Sequence, residues 1–242
     1  MALNDNSAFV PSANAFGFVN SWPSAPAVTV QTPFGRIAVG NAANGLCGGM
    51  AFGSLDYWYA RETPPRQRPA PGSPLYKFVV RRLIDSWNLP CGATEYYQWM
   101  NLPDGDSTVQ LLGRTVTTQR GLSWRTIEQQ WPQVRSNIDQ GTPSPLGVIT
   151  VASANPAELG VNHQVLAYGY SLTGTQVTLH VYDPNTGPAD DTHISFDTSA
   201  PTEPTTFTHN INMTLPVRGF FVSAYSPASV SGLPTASAKS AG

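Results

Sequence analysis

Charged residues are scarce in this chain, and no stretch of it is strongly basic. Only 12% of its 242 residues are charged, and the formal net charge is −2. Ordinary globular proteins have about a quarter of their residues charged. A protein that binds nucleic acid concentrates lysine and arginine on one surface. The composition therefore argues against a nucleic-acid partner.

Long apolar runs are also missing. No run approaches the roughly 18 residues that a membrane-spanning helix needs, so we expect no membrane partner. The opening sequence Met-Ala-Leu-Asn-Asp-Asn has neither the positive region nor the apolar core of a secretory signal. We therefore expect a cytoplasmic protein or one exported by a non-classical route.

Cysteine is nearly absent, with only Cys47 and Cys91. Two cysteines cannot form a framework of several disulfides. A single Cys47–Cys91 bridge is one possibility, but the lack of an export signal favours two free thiols. Two distant cysteines and four scattered histidines give no zinc-ligand spacing, so neither metal nor cofactor is expected. The turn-like setting of Cys91 favours a packing role.

Proline and glycine, in contrast, are abundant, with 22 and 21 residues, and 40% of the chain is hydrophobic. This composition favours a globular α+β protein rich in turns over a helix bundle. We predict a single domain over about residues 28–225. An N-terminal helical half, about 41–141, would pack on a C-terminal antiparallel sheet, about 142–225. An extended arm over 1–27 and a flexible tail over 226–242 would flank the domain.

Apolar periodicity and turn residues predict the individual elements. Helices are expected at 47–61, 74–87, 95–100 and, with Ser123 as its N-cap, from there to about 141. Strands are expected at 28–30, 36–39, 145–151, 163–170, 176–182, 192–197, 205–213 and 217–225.

The stretch Gly45-Leu-Cys-Gly-Gly-Met50 begins the first long helix. Its glycines suit a chain that turns sharply and allows other backbone to come close. Cys47 is then expected at the helix N-terminus, where unpaired N–H groups and the helix dipole favour a thiolate. A cysteine so placed is a candidate nucleophile, provided that a base lies nearby.

His163 is the best candidate for that base, because it opens a strong strand and a strand end can face a cleft. The hairpin over 163–183 would bring Asp183 back beside it, where a carboxylate fixes the imidazole tautomer. Asn185 is an alternative orienting residue. His180 lies in mid-strand, where a surface role is expected, and His193 and His209 lie in polar, loop-like surroundings, so they are weaker candidates.

Three motifs, in order, resemble the papain-like cysteine peptidase superfamily, most closely its bacterial peptidases that remove double-glycine leaders. They are Gly45-Leu-Cys-Gly-Gly-Met50, Asn162-His-Gln-Val-Leu-Ala-Tyr-Gly-Tyr170 and Val181-Tyr-Asp-Pro-Asn185. The resemblance implies a papain-like fold, with a central helix opened by Cys47, and a Cys47–His163–Asp183 triad. The chain departs from the family at the oxyanion donor. The family places a glutamine shortly before the cysteine, and this sequence has none there. Here the available amides are Asn41 and Asn44.

The first functional hypothesis is a thiol hydrolase that cleaves an amide bond, in particular a peptide bond of a peptide or protein substrate, through a thioester. An acyl transferase of the transglutaminase kind would use the same triad. The second class is a non-catalytic papain-like module that binds a peptide or glycan. The missing glutamine and the many aromatic residues favour a binding module. These aromatic residues are Trp58, Trp87, Trp99, Trp124, Trp131 and the Tyr96-Tyr97 pair.

Overall fold

A computed structural model describes residues 8–22, 28–32, 35–39, 45–88 and 91–236, with the backbone alone at residues 28, 30–32, 37–39 and 91–93. It is a mixed α+β fold with 30% helix, 24% strand and a curled antiparallel sheet. The α+β class predicted from the sequence is confirmed. No helix in the described ranges has both the length and the apolar character that crossing a membrane would require.

The helices lie mainly in the first 140 residues, as the sequence predicts. They are α1 Pro11–Asn14, α2 Cys47–Tyr59, α3 Pro74–Ser86, α4 Cys91–Met100, α5 Leu122–Trp124 and α6 Trp131–Asp139. A π-helical segment, Arg125–Gln130, joins α5 to α6, and a 3-10 helix spans Pro156–Val161. α3 begins as predicted, because the Ser73 side chain accepts a hydrogen bond from the Tyr76 N–H and Pro74 occupies the first helical position.

Ser123 is not the helix cap that the sequence predicts. The helix starts one residue earlier, at Leu122, with Gly121 preceding it. Ser123 is fully buried, and its Oγ accepts a hydrogen bond from the backbone N–H of Thr205 at 2.8 Å. The hydroxyl therefore joins the helix to a distant loop, which a local sequence pattern does not reveal.

The strands of the described residues form three sheets. They are β1 Val28–Thr32, β2 Gly35–Val39, β3 Ser107–Leu111, β4 Arg114–Gln119, β5 Ser144–Ile149, β6 His163–Thr173, β7 Gln176–Tyr182, β8 His193–Asp197, β9 Thr208–His209 and β10 Gly219–Val222. β1 pairs with β2 and β3 with β4 as separate hairpins. The other six strands form one sheet in the order β10-β5-β6-β7-β8-β9, and each neighbour is antiparallel.

The six-stranded sheet is buried on both faces along β5 and most of β6. Leu166 and Tyr168 of β6 belong to a buried cluster with Ala51 and Leu55 of α2. Val165 and Ala167, which point to the opposite face, belong to a second cluster with residues of α6. The central strand β6 therefore lies between α2 and α6, and its first residue, His163, is brought near the start of α2.

Residues 8–22 lie within the range where the sequence suggests an extended arm, yet they pack against the domain. Phe9 and Phe16 are completely buried, and the Phe16 ring contacts Tyr57 of α2 edge-on at 5.6 Å. The expectation rested on the alanine, asparagine, serine and proline content of this segment. Its aromatic side chains supply the apolar surface that holds it in place.

Residues 226–236 lie in the range expected to be a flexible tail, but they too contact the helices. Arg82 of α3 donates from Nη2 to the Ser226 carbonyl at 2.9 Å. Tyr57 of α2 donates from its hydroxyl to the Pro234 carbonyl at 2.7 Å. Both ends of the described chain therefore cover α2 and α3.

Candidate active site

Cys47 is the first residue of α2. It is a free cysteine and its residue surface is 8% exposed. The first hydrogen bond of the helix runs from the Met50 N–H to the Leu46 carbonyl at 2.9 Å. The N–H groups of Cys47, Gly48 and Gly49 precede it, so they have no acceptor within the helix. The sulfur thus lies beside a row of backbone donors.

The two glycines after Cys47 are required by close packing. A Cβ atom on Gly48 would lie 1.9 Å from Oε1 of Gln164, and one on Gly49 would lie 2.0 Å from the Val79 carbonyl oxygen. A side chain at Gly49 would collide with backbone, and one at Gly48 would have to displace the buried Gln164 side chain. The start of α2 therefore packs closely between β6 and α3, and this packing fixes the position of Cys47.

His163 and Asp183 form a buried pair at the ends of β6 and β7. Nε2 of His163 lies 2.7 Å from Oδ1 of Asp183, and the two side chains are 4% and 0% exposed. Antiparallel pairing of the two strands, with Leu166 opposite Tyr182, brings them together. The sequence argument for the hairpin predicts this juxtaposition.

The Cys47 sulfur lies close enough to the His163 ring to affect its protonation. Burial alone would lower the pKa of His163. The negative charge and hydrogen bond of Cys47, together with the Asp183 carboxylate, raise that pKa to about 10. Because Nε2 faces Asp183, Nδ1 is the ring nitrogen left for the sulfur. These partners favour the protonated form of the imidazole.

Asp183 is held as a carboxylate by three donors. Burial would raise the pKa of Asp183, but hydrogen bonds from His163 and from two backbone N–H groups lower it. Those N–H groups belong to Asn185, at 2.8 Å from Oδ1, and to Asn212, at 2.9 Å from Oδ2. A carboxylate with these partners holds the imidazole in one orientation and stabilises its charge.

The structure thus brings together Cys47, His163 and Asp183, the three residues to which the sequence assigns the chemistry. Asn185 does not take the place of Asp183 beside the imidazole. It supports Asp183 through its backbone N–H instead. Asn41 and Asn44, the proposed oxyanion donors, lie outside the described residues, as does the side chain of Cys91.

His180 and His193 have partners outside the Cys47, His163 and Asp183 group. Nε2 of His180 is 3.5 Å from Oγ of Ser171, and Nδ1 of His193 is 3.0 Å from the Asp191 carbonyl. Within the described ranges, no group of three histidine, cysteine, aspartate or glutamate residues could hold a metal ion.

Two contacts at the site were missed by sequence analysis. Tyr96 of α4 donates from its hydroxyl to the His163 carbonyl at 3.2 Å. Asn20 accepts a hydrogen bond from the backbone N–H of Leu46, the residue before Cys47, at 2.8 Å. Tyr96 lies in a region with weak periodicity, and Asn20 lies far from the motifs, so no local pattern indicates either one.

Comparison of the chain with protein-family models, with curated proteins and with solved structures finds no match.

Proposed function

We propose that this protein is a papain-like thiol hydrolase that cleaves an amide bond, with Cys47 as nucleophile, His163 as acid and base, and Asp183 as orienting residue. One observation carries the proposal. A buried imidazole lies between a carboxylate, at 2.7 Å, and a cysteine at the first position of a helix. Nucleophilic catalysis uses this arrangement, in which a base activates the nucleophile and a third group orients the base.

The proposed reaction begins with the sulfur as a thiolate and His163 as an imidazolium. The thiolate attacks the carbonyl carbon of the substrate, and the carbonyl oxygen becomes an oxyanion. Nδ1 of His163 then gives its proton to the amide nitrogen, the C–N bond breaks, and a thioester remains on Cys47. Water attacks the thioester while His163 accepts its proton, which releases the acid and restores the thiolate.

The helix start offers a place for the oxyanion. The N–H groups of Cys47 and Gly48 precede the first intrahelical hydrogen bond, and the helix dipole favours negative charge there. Since the glycines allow no side chain at the two positions after Cys47, the backbone donors are not covered by their own residues.

A non-catalytic binding module has less support from the same contacts. The Asp183–His163 pair is buried, and burying charged groups costs free energy that an apolar pair would avoid. Titratable groups with strongly shifted pKa values cluster at functional sites. A peptide or glycan surface requires neither the buried pair nor a cysteine beside it.

The test is alkylation of Cys47 by iodoacetamide across pH, in a Cys91→Ala background that leaves one thiol to react. In the parent the rate at pH 6 should lie within a few-fold of the rate at pH 8. In His163→Ala it should fall by about two orders of magnitude over the same range, because an unassisted thiol is almost wholly protonated at pH 6. Equal rates in both proteins at pH 6 would overturn the proposal and favour the binding module.

A further inference from the structure

Asn20 lies where three segments of the chain meet. Its Oδ1 accepts hydrogen bonds from the Leu46 backbone N–H at 2.8 Å and from the Trp22 indole N–H at 2.6 Å. Its Nδ2 donates to Oδ1 of Asn185 at 2.8 Å. The backbone N–H of Asn20 donates to the Pro184 carbonyl, also at 2.8 Å. One short side chain thus joins the N-terminal segment to Leu46, before Cys47, and to Asn185, after Asp183.

The surroundings of Asn20 keep it in this position. Phe18 and Trp22 flank it in sequence, both are buried, and their rings meet edge-on at 6.0 Å. Gly45 has a φ of +54°, and a Cβ atom there would lie 2.6 Å from Nδ2 of Asn20. A glycine in the left-handed region therefore lets the chain before Cys47 turn against the amide.

The hydrogen bonds of Asn20 form a continuous path across the site. Leu46 precedes Cys47, so the bond to its N–H anchors the start of α2. Asn185 in turn donates its backbone N–H to Oδ1 of Asp183 at 2.8 Å. The helix that carries the sulfur and the loop that carries the carboxylate are therefore connected through a residue that belongs to neither.

We propose that Asn20 is a positioning residue that sets the separation between the Cys47 sulfur and the His163–Asp183 pair. This inference rests on the proposed function, because the separation matters only if the sulfur and the imidazole act together. A displacement of about 1 Å in a reacting pair reduces the rate by roughly a hundredfold. The amide touches neither the sulfur nor the imidazole, so it acts through the two loops.

Two substitutions separate the roles of the amide. Asn20→Ala removes every side-chain contact. Asn20→Asp keeps an acceptor for Leu46 and Trp22 but has no N–H to donate to Asn185. Asn14→Ala is the matched control, since Asn14 lies in the same segment and its Oδ1 accepts from the Val10 N–H at 2.8 Å, away from the site.

The measurement is the iodoacetamide rate of Cys47 against pH in the Cys91→Ala background, at a temperature where circular dichroism shows each variant folded. Both Asn20 variants should react about ten- to a hundredfold more slowly than the parent at pH 6. They should approach the parent at pH 9, where a thiol ionises without help. Asn14→Ala should follow the parent at every pH. A purely structural role would lower the melting temperature and leave the pH profile unchanged.

Asn185→Ala tests the path itself. It should give the same loss at pH 6 as Asn20→Asp, and combining it with Asn20→Ala should add little, because residues in one network are not additive. If His163→Ala slows alkylation at pH 6 and the Asn20 variants do not, this inference alone is overturned. If His163→Ala has no effect either, the proposed function fails and the inference fails with it.

Discussion

Asp56 and Asp183 are both buried carboxylates that accept several hydrogen bonds, but their partners differ in kind. Asp56 of α2 is paired with Arg82 of α3, with Nε to Oδ2 at 2.7 Å. Its Oδ1 also accepts from the Tyr225 hydroxyl at 2.7 Å and the Ala228 N–H at 2.9 Å. Asp183 is paired with His163, a group that can lose its proton.

The two environments shift the two carboxyl groups in opposite directions. Burial raises the pKa of Asp56 despite the Arg82, Tyr225 and Ala228 donors. For Asp183 burial also acts to raise the pKa, but the donors, led by His163, lower it. The comparison separates a carboxylate that anchors chain segments from one that stabilises a titratable imidazole.

The difference lies in what each network can do. A guanidinium keeps its charge at any physiological pH, so the Asp56–Arg82 pair can only hold α2, α3 and residues 226–228 together. An imidazolium can give up its proton and take it back. A buried carboxylate alone therefore does not indicate function. It does so when its partner is a group that can exchange a proton.

The largest expected effect is on acylation of the protein, which requires the His163–Asp183 network and not the Asp56–Arg82 network. With p-nitrophenyl acetate as acyl donor, the parent should give a burst of p-nitrophenolate as the thioester forms. Cys47→Ala should abolish the burst, and His163→Ala should reduce it about a hundredfold or more. The double variant should be no worse than Cys47→Ala, since the residues act as one unit.

Cys91→Ala is the control and should keep the full burst. Cys47→Ala and Cys91→Ala should keep melting temperatures near that of the parent, because each removes only a sulfur atom. His163→Ala leaves Asp183 buried without its charged partner and should lower the melting temperature, so the burst is measured where circular dichroism shows each variant folded. A burst that survives Cys47→Ala would assign the acylated group to another residue.

The second effect is on stability. Arg82→Ala leaves Asp56 buried without its charged partner, which costs about 3–5 kcal/mol of unfolding free energy. Arg81→Ala is the matched control, since Arg81 is the exposed neighbour, and it should change stability by less than about 0.5 kcal/mol. Urea unfolding measures both. In the folded protein, Arg82→Ala should leave the pH profile of Cys47 alkylation unchanged, and a changed profile would show that the two networks are coupled.

Much of the site follows from local patterns. The glycine-flanked helix start places Cys47, and the alternation of β6 and β7 around a short turn places His163 beside Asp183. The helices predicted at 47–61 and 74–87 and the hairpin over 163–182 agree with the structure because each has its own periodicity and end residues, such as Ser73 and Pro74 of α3. The helix predicted at 95–100 begins earlier, at Cys91, and the strand predicted at 205–213 is reduced to Thr208–His209.

What the sequence could not provide are contacts between residues far apart in the chain. The Ser123 hydroxyl accepts from Thr205, and the Asn20 amide joins Leu46 to Asn185. Each is a polar residue whose local setting suits a cap or a turn. Only the packing of distant segments decides where its hydrogen bonds go.

A third prediction uses acid to contrast the two carboxylates. Because the folded state lowers the pKa of Asp183, its contribution to stability is present above the ordinary value of 3.8 and is lost as pH falls through the folded value. The difference in unfolding free energy between the parent and Asp183→Asn should therefore be largest near neutral pH and should decrease below about pH 4. Asp183→Asn should also slow alkylation of Cys47 at pH 6, by about tenfold, through loss of charge beside the imidazolium.

Asp56→Asn is the comparison for that experiment. A carboxyl group whose folded pKa is raised gains rather than loses stability as pH falls. The gap between the parent and Asp56→Asn should not narrow in acid. Parallel narrowing in both variants would contradict the opposite shifts of the two groups.

The smallest effect tests whether Asp56 is charged in the folded protein. Tyr225 donates its hydroxyl to the Asp56 carboxylate, whereas Tyr57 donates its hydroxyl to the neutral Pro234 carbonyl, each at 2.7 Å. A hydrogen bond to a charged acceptor contributes about 1.5–3 kcal/mol, and one to a neutral acceptor about 0.5–1.5 kcal/mol. Tyr225→Phe should therefore destabilise the protein more than Tyr57→Phe in urea unfolding at pH 7. Equal losses would indicate a protonated Asp56, and the Arg82 network would then lack the charge that distinguishes it from an ordinary polar contact.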